Sequence, residues 1–308
     1  MISIVIPLYN KEKQIQGTLE SVFRQTFQEF ELVIVDDGSS DNSVEIVKTF
    51  NDERISIISQ PNQGVSAARN TGIKNAKYNY IAFLDADDEW YPEYLQEQAG
   101  LIRKYADCKV FACAYKFKSH KGKLKQIKLN EMPFASQTGR LTNYFEVASC
   151  SHPPLWTSAI VVEKNAILSI GGFPVGIKSG EDLLTWARLA TKYPIAYCMN
   201  PLSVFNLSSS ETYENLPSRV PEKDDYVGKE LVHLYKGNKA MLGLKNYVAL
   251  WYKMRASMFL LFDNKKNTLK ESIKSLRYHF NIKVLTYIFL LFFPKKFRYK
   301  IFQTLGNQ

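Results

Sequence analysis

Cysteine is scarce: four of 308 residues, at positions 108, 113, 150 and 198. None forms a C-x-x-C pair, and no histidine stands beside them at zinc-like spacing. That excludes a disulfide-stapled framework and a sequence-local zinc site, and scattered thiols in a chain this long fit a reducing compartment. Histidine is equally sparse, and His120, His233 and His279 have no partner pattern and read as structural. Neither G-x-G-x-x-G nor a P-loop occurs, which argues against a dinucleotide enzyme or a P-loop NTPase. The longest apolar stretch, Val284 to Phe293 broken by Thr286, is about half of what a spanning helix needs. Met1 to Leu8 is apolar but lacks the basic flank and small-residue cleavage site of a secretory signal.

Acidic residues are scarce in one region only. The chain carries 40 Lys+Arg against 30 Asp+Glu, a net charge of +10. Residues 1–216 hold 22 basic and 24 acidic side chains, whereas residues 217–308 hold 18 and 6. The positive excess therefore belongs to the last third. With 45% hydrophobic and 13% aromatic residues, the chain can build a core as one large domain or two ordinary ones.

The first 90 residues alternate strand and helix signals. Ile2 to Ile6, Phe30 to Val35, Ile55 to Ser59 and Tyr80 to Leu84 read as strands, rich in β-branched residues. Helical spacing runs from about Lys13 to Phe27, from Ser40 or Asp41 to Phe50, and from Val65 to Ala76. Strands separated by such helices predict a parallel sheet with helices packed on it. The middle, roughly 110–215, is less regular. The lysine-rich stretch 116–128 reads as a solvated hairpin or loop, Ser158 to Val162 as a strand, and Gly171-Gly172-Phe173 as a turn. Gly180-Glu181-Asp182 opens a helix through Leu189. Beyond about 216 only helical patterns remain: Val227 to Tyr235, Tyr247 to Phe262 and Leu269 to Phe280.

Two acidic clusters, Asp36-Asp37 and Asp85-Ala86-Asp87-Asp88, fall directly after strands. Ligands of open α/β sheets gather outside the carboxyl ends of strands. These clusters and Pro7-Leu8-Tyr9-Asn10 are thus expected at one crevice. Each motif also has a plainer reading. Asp-Asp-Gly-Ser is an ordinary turn, Asp88 can cap a helix begun at Glu89-Trp90, Arg69 can be a surface arginine, and Glu181-Asp182 suits any helix N-terminus.

Taken together, the motifs resemble those of family 2 glycosyltransferases. They are Ser3-Ile4-Val5-Ile6-Pro7-Leu8-Tyr9-Asn10, Ser21 to Phe27, Glu31 to Ser39, Asn62-Gln63-Gly64-Val65-Ser66-Ala67-Ala68-Arg69-Asn70, Phe83 to Asp88 and Gly180-Glu181-Asp182. They stand in the family's order over about residues 1–205. The resemblance implies a GT-A fold: an α/β, Rossmann-like, mostly parallel sheet flanked by helices, with a C-terminal helical region. A catalytic domain over 1–215 would divide into a donor half, about 1–110, and an acceptor half, about 111–215, followed by a basic helical region over 216–308.

What the family does with these positions gives each residue an expected role. Pro7, Tyr9, Asp37, Arg69 and Asp85 would bind a nucleotide-diphospho-sugar, UDP-linked by preference, with Tyr9 stacking on the base and Asp37 taking the uracil N–H. Asp87 and Asp85 would hold Mn²⁺ or Mg²⁺, hard cations suited to carboxylate and phosphate oxygens. Asp182 would take the proton of the acceptor hydroxyl, in an inverting transfer with oxocarbenium character. Glu181 would orient it or touch the acceptor. Trp156 and His152 precede a strand in the acceptor region, where an aromatic face can stack on a sugar, although tryptophan is often core. The acceptor would be a saccharide or a lipid-linked saccharide, as in surface-polysaccharide assembly. The other enzyme-free reading is a catalytically idle GT-A scaffold that binds nucleotide.

In the tail, residues 264–308 carry ten basic side chains and one acidic, Glu271. Tyr287, Phe289, Phe292, Phe293, Phe297 and Tyr299 lie among lysines, a composition suited to an anionic bilayer surface. The expected location is therefore cytoplasmic, peripheral on the inner face of the cell membrane. A core helix ended by Pro294 is the alternative. No nucleic-acid motif accompanies the charge, so nucleic acid is not an expected partner. Self-association is compatible with either reading.

Overall fold

In a computed structural model, residues 1–207, 220–295, 297, 298 and 301 are described. They form two compact units, Met1–Asn206 and Leu207–Gln308. The expected boundary region overlaps 208–219, which lie outside the described residues, as do Lys296, Tyr299 and Lys300 of the expected basic tail.

The first unit is built on one sheet. β1 (Ile2–Leu8) pairs in parallel with β2 (Phe30–Asp36) on one side and β4 (Tyr80–Phe83) on the other, and β3 (Ile55–Ser59) pairs in parallel with β2. Ile4, Val5, Ile6, Leu32, Ile34 and Phe83 are buried. An unbroken apolar run is what a parallel strand covered on both faces requires, and it explains why these strands were legible. Pro7 fits β1 without loss. The Val5 carbonyl accepts from Leu84 N, so Pro7, two residues on, faces the same side, where β4 has already ended. The missing N–H leaves no rung empty.

Beyond β4 the sheet is mixed. Its order is β3-β2-β1-β4-β9-β6-β10-β5, with β5 at Glu89–Trp90, β6 at Val110–Lys118, β9 at Ile160–Glu163 and β10 at Ile195–Asn206. β9 runs antiparallel to both β4 and β6, while β6 and β10 are parallel. β7 (Leu124–Gln126) returns against β6 as the lysine-rich hairpin, and β8 (Thr138–Arg140) edges β10. The flanking helices are α1 (Ile15–Phe23), α2 (Ser43–Thr49), α3 (Val65–Asn75), α4 (Tyr94–Lys104), α5 (Tyr144–Cys150), α6 (Lys164–Ser169) and α7 (Glu181–Ala190). α3 lies so close to β1 that a Cβ at Gly72 would stand 2.3 Å from Val5 Cγ1.

The second unit is helical: α8 (Tyr226–Gly237), α9 (Leu244–Leu261), α10 (Lys265–Tyr278) and α11 (Ile282–Leu290). α9 is its axis, burying Val248, Trp251, Tyr252, Phe259 and Leu260. A polar cluster is enclosed with them. Asp225 caps α8 by accepting from Gly228 N at 3.0 Å and also accepts from Trp251 Nε1 at 2.9 Å. Arg255 Nε lies 3.6 Å from Asp225 Oδ2 and 3.4 Å from Glu271 Oε2, and its Nη2 donates to the Glu222 carbonyl at 2.9 Å. α11 is different. It buries only Val284 and Leu290, while Ile282 and Phe289, with Phe292 just beyond, face solvent. No helix among the described residues is long and apolar enough to cross a membrane.

Candidate functional site

The carboxyl ends of β1, β2 and β4 bring three loops together, since Leu8 stands opposite Asp36 and Val5 opposite Phe83. The loops after β1 and β2 are laced to each other. Asn10 takes a positive φ of 50° and donates its N–H to Ser39 Oγ at 3.1 Å, while its Oδ1 accepts from Ser40 N at 2.8 Å. Lys11 N donates to Ser43 Oγ at 2.7 Å and Glu12 N to Asp41 Oδ2 at 3.0 Å. Tyr9 remains 48% exposed beside this lacing.

Asp37 is buried and ties the second loop to α3. Its carboxylate accepts from Gln60 Nε2 at 2.7 Å, Gln63 N at 3.0 Å and Gly64 N at 2.8 Å. Three donors leave about one of a carboxylate's four acceptor positions open. Gly64 itself sits at φ 89°, a conformation that starts α3 and that a side chain would resist.

Arg69, on α3, is not the surface arginine that its helical position allowed: its side chain is 4% exposed. Nη2 donates to Asp85 Oδ1 at 2.7 Å, Nη1 lies 3.6 Å from Glu181 Oε1, and the guanidinium sits 5.1 Å from the Phe173 ring centre. Burial opposes its charge, but Asp85, Glu181 and Asp182 outweigh that and raise its pKa. Its neighbour Asn70 clamps the glycine turn, donating from Nδ2 to the Phe173 carbonyl and accepting from Phe173 N, both at 2.8 Å. Arg69 thereby joins the aspartates that end β4 to the acids that open α7.

Among the β4 aspartates the roles diverge. Asp85 and Asp87 keep side-chain exposures of 25% and 30%. Asp88 is fully buried. It caps no helix, because Glu89–Trp90 is a strand paired with β10. Asp88 Oδ2 accepts from Ser158 Oγ at 2.5 Å and Oδ1 from Asn206 N at 3.1 Å, while Asn206 Nδ2 donates to the Asp87 carbonyl at 2.7 Å. Burial, then Asp85 and Asp87, push its pKa well up. Asp88 therefore fastens the loop that presents Asp85 and Asp87. Ser158 and Asn206, its partners, were missed in the sequence because they lie 70 and 118 residues away.

At the start of α7, Gly180 takes φ 84°. Burial foremost, then Asp182, raise the Glu181 pKa to about 7 against the pull of Arg69. The Asp182 pKa is raised chiefly by burial as well, with Arg69 and the Leu183 N–H, which donates to Oδ1 at 2.7 Å, opposing. Trp156 belongs to an aromatic group, 5.4 Å from Tyr115 and 4.7 Å from Phe205 between ring centres, and its buried Nε1 has no hydrogen-bond partner among the described residues. Tyr115 is close enough to Asp182 that, after burial, that carboxylate is the next influence raising its pKa. His152 lies 5.8 Å from Phe117 and takes Lys128 N at 3.1 Å, a structural contact.

No group of three or more His, Cys, Asp or Glu side chains placed to hold a metal occurs among the described residues. Two carboxylates remain compatible with a cation whose other ligands come from a phosphate substrate and water. Asp85 Oδ2 and Asp87 Oδ1 accept no hydrogen bond from a described residue, and both are hard oxygen donors.

Comparison with known proteins agrees with this geometry. The model of glycosyl transferase family 2 matches residues 3–158. An uncharacterized glycosyltransferase of Rickettsia felis is 31% identical over 210 residues, 67% of this chain and 33% of its own length. An Escherichia coli protein named as the UDP-Glc:alpha-D-GlcNAc-diphosphoundecaprenol beta-1,3-glucosyltransferase WfgD is 40% identical over 105 residues, 34% of this chain and 42% of its own. The chain thus matches less than half the length of either relative. The crystal structure of S. aureus TarS 1-349 in complex with UDP-GlcNAc superposes with a TM-score of 0.68 at 19% identity, covering 93% of this chain and 83% of that one. At that identity the likeness is one of fold.

Proposed function

The chain belongs to glycosyl transferase family 2, and we propose that it moves a sugar from a nucleotide-diphospho-sugar, UDP-linked by preference, to a saccharide or lipid-linked saccharide hydroxyl with inversion. The observation that carries this reading is Arg69, which ion-pairs with Asp85 at the donor end and Glu181 at the opposite end. One cluster therefore contains both a carboxylate pair for the donor and a half-buried carboxylate of raised pKa for the acceptor. Relatives named for UDP-sugar chemistry support the donor class.

In this reading Tyr9 offers its exposed face to the base, and the free acceptor position of Asp37 takes the base N–H, while Pro7 lies in the last residues of β1 that lead to Tyr9. Asp85 and Asp87 would hold Mn²⁺ or Mg²⁺, which neutralises charge on the departing nucleotide. Asp182 accepts the acceptor proton. Its burial makes it a stronger base than a solvated aspartate, and Arg69 keeps it ionised. Glu181, near neutrality in its titration, holds the shared charge of the acid pair to about one unit and orients the acceptor. Trp156, with an unpartnered N–H, offers a donor and an aromatic edge to a sugar ring.

The test is UDP release from a panel of nucleotide sugars with Mn²⁺ and a lipid-extract acceptor. Asp182→Asn should lower turnover by about 10²–10⁴-fold while leaving donor-induced thermal stabilisation intact. Donor binding with no turnover in the unmodified protein, for every donor and acceptor, would instead identify an idle scaffold. A second reading concerns location. The outward Ile282, Phe289 and Phe292, with Lys283 and Lys295 nearby, fit a peripheral contact with the anionic inner face of the cell membrane. Flotation with anionic but not neutral liposomes tests it.

A further inference from the structure

Lys11 is the cation of this site that no motif announced. Its backbone is fixed on both sides by the lacing of the β1 and β2 loops, with Asn10 at φ 50° before it and the Glu12 N–H bound to Asp41 after it. From that anchored point its ammonium pairs with Asp87 Oδ2. The side chains are 35% and 30% exposed, so the pair borders solvent, where an ion pair is weak and free to open. The facing charges are few. Asp85 is paired to Arg69, and Asp88 is buried and engaged with Ser158 and Asn206. Among the described residues, the lysine is the partner that Asp87 has.

We propose that Lys11 is the exchangeable cation of the donor site: it holds Asp87 in the unliganded protein, yields that carboxylate to a divalent cation, and then turns its ammonium to the diphosphate of the donor. The proposal rests on the reading of Asp87 as a metal ligand. Two cations on one carboxylate repel, so a metal arriving alone must displace the ammonium. A nucleoside diphosphate gives the displaced ammonium a new partner, and lysine, a compact charge on a flexible stem, is suited to phosphate oxygens. Metal and nucleotide should then bind cooperatively, each strengthening the other by the same factor.

The experiment is calorimetric titration of Mn²⁺ into the full chain, with and without UDP, for the unmodified protein, Lys11→Met, Asp87→Ala and the exposed-lysine control Lys13→Met. Lys11→Met should bind Mn²⁺ alone more tightly and UDP with saturating Mn²⁺ more weakly, each by on the order of tenfold, with the coupling lost. Lys13→Met should do neither. If Asp87→Ala abolishes Mn²⁺ binding while Lys11→Met changes neither affinity, the metal site stands and the role of Lys11 is overturned. If Asp87→Ala binds Mn²⁺ like the unmodified protein, the metal reading itself fails and the exchange fails with it.

Discussion

Both units of this molecule bury an arginine between two acids, and they use it differently. Arg69 and Arg255 have side-chain exposures of 4% and 7%. The partners of Arg255, Asp225 and Glu271, are as hidden as the arginine, and the same residues cap α8 and bind Trp251 and Lys274. The partners of Arg69 open towards solvent, and its Nε and Nη1 have no hydrogen-bond partner among the described residues. A buried cation whose acids are as enclosed as itself fixes helices in place. One whose acids keep free lone pairs and whose own donors are unsatisfied leaves interactions for a ligand to complete.

Substitution should separate these two designs. Arg255→Met leaves the enclosed Asp225 and Glu271 with Lys274 as their one remaining cation among the described residues, and removing one partner of a buried pair costs about 3–5 kcal/mol. Amide exchange in α9 and α10 should accelerate accordingly. Arg69→Met should destabilise less, by about 2 kcal/mol, because Asp85 can hydrate and Glu181, already near 7, can take a proton. Its larger effect should fall on donor binding, read by UDP-induced thermal shift. Equal exchange losses around both arginines would erase the distinction.

The contrast also marks what the sequence could reveal. β1 to β4 were legible because parallel strands buried on both faces are continuous apolar runs, and Asp36-Asp37 and Asp85 to Asp88 because loops at strand ends are short and local. β10, twelve residues at the centre of the mixed half, escaped notice: Pro201 interrupts it and its partner β6 is some 85 residues earlier. Lys11, Ser158 and Asn206 escaped for the same reason, since each works through a partner that only the fold brings near. The helix cap that Asp88 offers as its plainer reading fails because adjacency to Glu89-Trp90 is the only local signal, and that pair is a strand. Three helices of the second unit are visible by periodicity and the fourth, α11, only as an apolar run, but the Arg255 cluster is not, because Asp225, Arg255 and Glu271 come from separate helical segments.

The smallest expected effect is also the sharpest on the functional side of the comparison. Glu181 has its pKa raised from 4.5 to about 7, chiefly by burial. A raised carboxyl favours the protonated folded state, so its contribution to stability is complete below about 4.5, declines as pH rises to about 7, and is level above that. Glu181→Gln should remove this slope, so that the variant gains on the unmodified protein between those values in melting temperature. Glu181 and Asp182 titrate as a pair, and the rise of kcat/KM with pH reports that pair. Glu181 is not among the groups that raise Asp182, which ionises while Glu181 is still protonated, so Glu181→Gln should leave the acidic limb in place and remove only the titration near 7. A limb that moves down by about one pH unit would mean instead that a charged Glu181 holds Asp182 up and that Asp182 does not ionise first.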